Sequence, residues 1–123
     1  MRIMQVVAAA LLVLLALAHS YLGERLILVP LFRRGHLPEL LGSTVFTRRT
    51  MRFAWHVTTL ALVGLAGIVL LVAAGEPSRG AFGRVVAGTL VASGFWSLVA
   101  TRGKHFSWVV FLLVGVMTWF GVR

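Results

Sequence analysis

Hydrophobic residues fall into four long runs along this chain, and short polar segments separate the runs. They cover approximately residues 3–29, 51–74, 81–100 and 105–122. An α-helix rises about 1.5 Å per residue, so about 20 apolar residues cross the hydrocarbon core of a bilayer. The pattern therefore predicts an all-α polytopic membrane protein, in which a bundle of four transmembrane helices forms a single domain over residues 1–123.

The first run has a second interpretation, because a cleaved secretory signal also consists of a basic residue followed by an apolar stretch. Arg2 precedes the run, and Ala16-Leu17-Ala18 is an acceptable cleavage site. Cleavage would leave three spans and would place the arginine-rich segment that follows outside the cell, in conflict with the positive-inside rule. We therefore expect the first run to be retained as a helix.

The segment from Gly23 to Arg52, here called the connector, carries six arginines against two acids. These arginines are Arg25, Arg33, Arg34, Arg48, Arg49 and Arg52. Positively charged loops stay on the cytoplasmic side of a membrane, so we expect the connector there, with Arg102 and Lys104 on the same side. The remaining basic residues, predicted to lie outside, are Arg2, Arg79, Arg84 and Arg123. The predicted location is the inner (plasma) membrane, with both termini periplasmic or extracellular.

The connector itself has two interpretations. Apolar and basic residues alternate in short groups around Pro30, which is typical of segments that lie in the membrane interface with their arginines on lipid phosphates. Gly35, Pro38 and Gly42 would break any long helix here. Alternatively, the first helix runs on to Val29, stops before the proline and is followed by an ordinary loop. Both interpretations make the six arginines candidates for contact with anionic lipid headgroups.

Composition narrows the class of protein further. With 59% hydrophobic residues and three acidic residues, the chain has too little polar surface for a soluble globule. The net charge of +9 indicates contact with anionic lipid headgroups rather than with nucleic acid, because most arginines flank apolar runs. The chain has no cysteine, which excludes disulfides, thiolate metal sites and cysteine nucleophiles.

Small residues predict where the helices approach one another. A stripe at spacings of three and four residues marks the third helix, and small residues allow membrane helices to pack closely. The stripe consists of Gly80, Gly83, Ala87, Gly94, Ser97 and Thr101, and the other helices add Gly64, Gly67 and Gly115. The stripe fits contacts within one chain and contacts in a homo-oligomer or a larger membrane complex equally well.

Ionisable residues inside apolar runs are energetically costly, which makes them candidates for function. Under the predicted topology His19, His56 and His105 come from three helices and lie at a similar depth near the cytoplasmic side, with Glu24 and Arg52 nearby. Such a cluster could bind a metal ion, a haem, a quinone or a lipid headgroup. The alternative is that each histidine is an independent interfacial residue bonded to water, phosphate or a backbone carbonyl. Glu76 is expected to be a solvated turn residue.

Other functions lack the residues that they need. No acid lies in the middle of a span for drug-proton antiport, and no helix has a polar stripe for a channel. Ser20 is next to His19 in sequence, but adjacent side chains point in different directions on a helix, so no nucleophilic site is predicted. The sequence therefore favours an integral membrane protein that acts as a binding or accessory subunit rather than as an enzyme. A metal- or haem-dependent membrane enzyme and a structural or assembly protein are the alternatives.

Overall fold

The computed structural model describes residues 2–75 and 77–122, and this part of the chain is all-helical. Its elements are α1 (Arg2–Leu22), a π-helical segment (Gly23–Leu28), α2 (Val29–Arg33), α3 (Thr44–Ala74), α4 (Arg79–Thr101) and α5 (Ser107–Gly121). Glu76, the predicted turn residue, and Arg123, predicted to lie outside the cell, are not among the described residues.

Three helical stretches are long and apolar enough to cross a membrane: Arg2–Arg33, Thr44–Ala74 and Arg79–Thr101. The helix α5 is also apolar but has only 15 residues. Large hydrophobic side chains cover the outer surface, and Ile3 on α1 is 78% exposed. A water-soluble protein of this size would bury such side chains, so the long apolar helices suggest a membrane protein.

The four long helices pack in chain order, α1 on α3, α3 on α4 and α4 on α5. Consecutive helices are antiparallel. On the first pair, Ser20 lies near His56 while Glu24, one turn later, lies near Arg52, one turn earlier. The start of α1, the α3–α4 turn and the end of α5 are therefore at one end of the molecule, and the connector and the α4–α5 loop are at the other.

The predicted small residues lie at these helix contacts. A Cβ atom on Gly64 would overlap the side chain of Thr89, and one on Gly67 would press on Val85, so both glycines face α4. On α4, a Cβ at Gly83 would overlap Val122 and one at Gly94 would overlap Leu112. The contacts made by these glycines are thus within one chain.

The buried residue Ala87 lies between the glycines of α4, and its carbonyl oxygen faces Gly115 of α5. This close approach of two backbones is what a stripe of small residues permits.

The first helix does not end at Val29 but continues through Pro30 to Arg33. The π-helical segment explains this difference from both sequence-based interpretations. Its wider turns shift the helix register, with Val29 N–H bonded to the carbonyl of Glu24 five residues earlier. Pro30 then falls in the first turn of α2, where a missing N–H donor is tolerated.

The helix α3 begins at Thr44, seven residues before the apolar run that predicted it. Ser43 caps its N-terminus, because the serine side chain accepts a hydrogen bond of 3.1 Å from Val45 N–H. Buried Thr47 then fastens the connector loop, donating to the Pro38 carbonyl at 2.6 Å and accepting from Leu40 N–H at 3.2 Å. Three connector arginines therefore lie on the first turns of α3 rather than in a loop: Arg48, Arg49 and Arg52.

Candidate functional site

Two pairs of polar residues, each spaced four positions apart, face each other across the contact between α1 and α3. Ser20 and Glu24 form one pair, and Arg52 and His56 form the other. Residues four apart lie on the same face of a helix, one turn above each other. Because the two helices are antiparallel, the four side chains meet in one cluster.

Hydrogen bonds connect these four side chains in a line. The Oγ atom of Ser20 and Nδ1 of His56 are 2.6 Å apart. The Nε2 atom of His56 is 3.3 Å from Oε2 of Glu24. Arg52 completes the line by donating to both carboxylate oxygens of Glu24, through Nη2 to Oε1 and through Nε to Oε2 at 3.1 Å. This bidentate arrangement is the strong form of an arginine–carboxylate pair.

The partners fix the direction of the hydrogen bonds. The carboxylate of Glu24 is paired with Arg52 and can only accept, so His56 carries a proton on Nε2 and donates it to Glu24. In the neutral imidazole Nδ1 is then the acceptor, and the hydroxyl of Ser20 donates to it. The line therefore has a single polarity from serine through histidine to carboxylate, which we call the Ser20–His56–Glu24 relay.

A second contact between α1 and α3, made by His19 and Trp55, lies next to the relay. The rings of His19 and Trp55 are stacked, 4.7 Å apart and 3° from parallel. His19 Nε2–H donates to the Trp55 carbonyl at 3.2 Å, and Trp55 Nε1–H donates to the His19 carbonyl at 3.0 Å. The indole lies over Gly23, where a Cβ atom would overlap it. His19 is thus a packing partner of Trp55 next to the relay.

The third histidine lies apart from this cluster. His105 precedes α5, where its Nδ1 atom is 2.8 Å from Ser107 Oγ and its ring packs 5.2 Å from that of Phe53. Across residues 2–75 and 77–122, no group of three or more histidine, aspartate or glutamate side chains is arranged to hold a metal ion. The structure therefore brings together Glu24, His56 and Arg52 of the predicted cluster, places His19 beside them, and separates His105.

An apolar cleft adjoins the relay. It has a volume of about 630 Å³ and is lined by Ser20, His56, Thr59, Leu60, Ala92, Phe95, Trp96 and Val99. Two of the aromatic and aliphatic wall residues, Phe95 and Val99, are 57% and 68% exposed, so the cleft opens on the apolar outer surface of the molecule. Ser20 and His56 of the relay thus form part of the wall of a cleft that is open to the outer surface.

Two buried polar atoms of the cleft wall, Thr59 Oγ1 and Trp96 Nε1, have no hydrogen-bond partner within the described residues. A buried polar group without a partner costs free energy, and such groups are rare in folded proteins. The Trp96 ring is perpendicular to that of His56, with ring centres 5.4 Å apart. Unpaired donors in the wall are thus close to the relay.

The connector arginines divide into different environments. Arg33, Arg48 and Arg52 line a second cavity of about 470 Å³ together with Val29 and Phe32. The Arg48 Nε atom is buried there without a hydrogen-bond partner among the residues described. The other three connector arginines have separate positions: Arg25 lies over the Tyr21 ring, Arg34 is exposed, and Arg49 lies near Lys104.

The contact between Ser20 and His56 was not predicted from the sequence, because the serine was compared only with His19, its neighbour in the chain. The signal that would have identified it is the pair of four-residue spacings, Ser20 to Glu24 and Arg52 to His56. The chain matches no protein-family model, and no curated protein or solved structure is significantly similar to it.

Proposed function

We propose that this chain is an inner-membrane protein that binds an amphipathic lipid in the cleft between α3 and α4. The polar end of the lipid carries a carbonyl group and lies at Ser20 and His56, and its hydrocarbon chain follows the apolar walls. The observation that carries the proposal is the lining of the cleft, which is mostly apolar and includes Ser20 and His56 of the polar relay. Pockets for amphipathic ligands have this arrangement of apolar walls and few oriented polar groups.

The unpaired atoms of the wall support a ligand that accepts hydrogen bonds. Trp96 Nε1–H can only donate, and the hydroxyl of Thr59 can donate as well. Both atoms are buried in the wall, so binding requires these side chains to turn toward the cleft. A carbonyl oxygen is an acceptor without charge, and it would satisfy these donors without bringing an ion into an apolar cleft. The ester of an acyl lipid and the ring carbonyl of a quinone share this chemistry.

The cavity at Arg33 and Arg48 supports an anionic lipid on the same side of the molecule. Guanidinium groups pair with phosphate through two parallel hydrogen bonds, and the buried Nε of Arg48 is free to donate. Arg52 lines this cavity and also holds Glu24, so it joins the arginine cavity to the relay. We infer that phosphate-bearing lipids occupy the arginine cavity, as the charge pattern of the connector predicts.

The same proposal includes the orientation of the chain. Four helices cross the membrane as a bundle, the connector faces the cytoplasm, and both termini face the periplasm or the cell exterior. The 15 residues of α5 span only about 22 Å at 1.5 Å per residue, so the bilayer thins around this helix. A reporter fused to the C-terminus should be active only outside, and one inserted near Gly35 only in the cytoplasm. The reverse pattern would overturn the orientation.

Photo-crosslinking in vesicles tests the lipid site. The full chain is reconstituted into phosphatidylethanolamine vesicles that contain either an acyl phosphatidylglycerol or a ubiquinone analogue, each with a diazirine on its hydrocarbon chain. We expect the crosslinks to concentrate on Leu60, Phe95 and Val99. The lipid that labels these residues identifies whether the carbonyl comes from an ester or from a quinone.

A matched pair of variants makes this test specific. Ala92→Phe fills the cleft, whereas Ala10→Phe adds the same side chain to an exposed position on α1. We expect Ala92→Phe to lower labelling of the cleft about tenfold, a loss of about 1.4 kcal/mol in binding, and Ala10→Phe to leave it unchanged. Labelling that is spread evenly over all exposed apolar residues, and that ignores Ala92→Phe, would refute the site.

A further inference from the structure

We propose that Ser20 is a nucleophile that accepts an acyl group from a lipid ester bound in the cleft, with His56 as its general base. This inference rests on the proposed function, because it requires the ester carbonyl to lie at the polar end of the cleft. It goes beyond lipid binding by assigning an acyl-transfer reaction to the cluster. The observation behind it is the order of the relay, a serine hydroxyl, an imidazole and a carboxylate joined by hydrogen bonds.

The relay has the geometry that an activated serine needs. Ser20 Oγ is 2.6 Å from His56 Nδ1, within the 2.6–3.2 Å that proton transfer to a general base requires. Glu24 accepts from Nε2 at 3.3 Å, which holds the tautomer that leaves Nδ1 free to take the proton. Glu24 is a positioning residue, and Arg52 in turn holds Glu24 from both carboxylate oxygens.

Burial favours the relay as well. The side chains of His56 and Glu24 are 19% and 29% exposed, so neither is freely solvated. The positive charge that His56 gains on taking the serine proton would be stabilised by Glu24. In this cluster the serine has a base within hydrogen-bond distance, and the histidine has a carboxylate.

The cleft supplies a candidate donor for the developing oxyanion. Thr59 is three residues after His56, nearly one turn along α3, and its hydroxyl has no partner in the described part of the chain. The proposal requires rotation about its Cα–Cβ bond, which turns the hydroxyl from the wall toward a carbonyl oxygen that becomes negative. One such donor contributes about 10²- to 10³-fold to acyl transfer in a preorganised site.

The reaction has two steps. In the first, Ser20 Oγ bonds to the ester carbonyl carbon while its proton passes to His56 Nδ1. The ester C–O bond breaks, the departing alkoxide takes that proton and leaves as an alcohol, and Ser20 carries the acyl group. In the second, water or a lipid alcohol gives its proton to His56 and attacks the acyl carbon. Oγ leaves and recovers the proton, releasing a fatty acid or a new ester.

A long-chain alkyl fluorophosphonate tests Ser20 directly, because it forms a stable bond only with an activated serine and releases fluoride. The full chain in mild detergent is treated with this probe and analysed by intact and peptide mass spectrometry. We expect one adduct, located on Ser20. His56→Gln should react at least about 100-fold more slowly, as expected when a general base is removed.

Matched variants separate chemistry from packing. Ser93→Ala removes a buried serine of α4 whose hydroxyl donates to the Thr89 carbonyl, and it should react like the wild type. Glu24→Gln should lower the rate of the bonding step and leave the concentration for half-saturation by the probe unchanged. An effect on half-saturation alone would show that Glu24 only shapes the cleft.

The photo-crosslinking experiment makes the two proposals separable. Ser20→Ala should lose the adduct and keep lipid crosslinks to the cleft. If the wild type shows cleft crosslinks and no Ser20 adduct, acyl transfer is wrong and lipid binding stands. If neither is seen, both proposals fail. Equal rates of adduct formation on Ser20 in the wild type and in His56→Gln would also show that His56 is not the general base.

Discussion

Ser20 on α1 and His56 on α3 share a hydrogen bond of 2.6 Å across the contact of the two helices. Close to the serine, Gly23 has no side chain, and the Trp55 indole lies against the helix backbone at that position. Glu24, four residues after the serine, then meets the far side of the same imidazole. The polar relay and the close contact at Gly23 are therefore neighbours at the same helix interface.

The contact at Gly23 gives the first prediction. Gly23→Ala places a Cβ atom within the Trp55 indole and should destabilise the fold by about 1–3 kcal/mol, the usual cost of overpacking. Thermal unfolding in detergent, followed by circular dichroism, measures the change. Gly88→Ala is the matched control, because no atom lies within 4 Å of a Cβ at that position. Equal melting temperatures for the two variants would contradict the close contact.

The pair of Glu24 and Arg52 gives the second prediction. Their side chains are 29% and 42% exposed, so solvent screens the attraction, and we expect a coupling free energy of about 1 kcal/mol. A double-mutant cycle of Glu24→Gln and Arg52→Gln, measured by thermal unfolding, gives this quantity. Arg25→Gln, which removes a guanidinium that lies over Tyr21, serves as the charge-matched control. Additive effects of the two variants would show that the ion pair contributes no coupling free energy, contrary to this prediction.

The helix pattern was predictable from the sequence because about 20 consecutive apolar residues leave few alternatives to a long helix. The π-helical segment was not predictable. Periodicity assumes 3.6 residues per turn, and the segment Gly23–Leu28 breaks this rule. A separate rule, that a proline disfavours helix in the residue before it, ended the predicted first helix at Val29, whereas in the structure the proline lies in the first turn of α2.

The site was predictable only in part. The high cost of ionisable residues in apolar runs pointed to Glu24, His56 and His105 alike. In the structure Glu24 and His56 share a hydrogen bond, whereas the His105 ring packs against Phe53. Depth gives the position of a side chain along the membrane normal. Whether two side chains at the same depth meet depends on the directions in which they point around their helix axes. The unpaired donors of Thr59 and Trp96 could not be predicted from the sequence, because an unpaired donor is recognised only when its surroundings are known.

Packing between α4 and α5 gives the third prediction. Ala87 is completely buried and its carbonyl faces Gly115, so Ala87→Leu should separate the helices and lower stability by about 1–3 kcal/mol. Val86→Leu, at an adjacent position that is 39% exposed, is the control and should unfold like the wild type. Undiminished stability of Ala87→Leu would show that this face does not pack against α5.

The arginine cavity gives the fourth prediction. Arg48→Gln should reduce the preference for phosphatidylglycerol over phosphatidylcholine about fivefold, since one basic residue near anionic lipid contributes about 1 kcal/mol. Arg34→Gln removes the same charge from an exposed position outside the cavity and should have a smaller effect. Competition between the two lipids, read by photo-crosslinking, measures the preference. Identical losses in both variants would mean that only net charge attracts the lipid.

Lipid retention tests the central claim of a lipid-binding cleft beside the Ser20–His56–Glu24 relay most directly. The wild-type chain and the variants Ala92→Phe and Ala10→Phe are purified in mild detergent and examined by native mass spectrometry. We predict that the wild type and Ala10→Phe each keep a bound carbonyl-bearing lipid and that Ala92→Phe, with its cleft filled, releases it. Equal lipid retention in all three proteins would contradict the account.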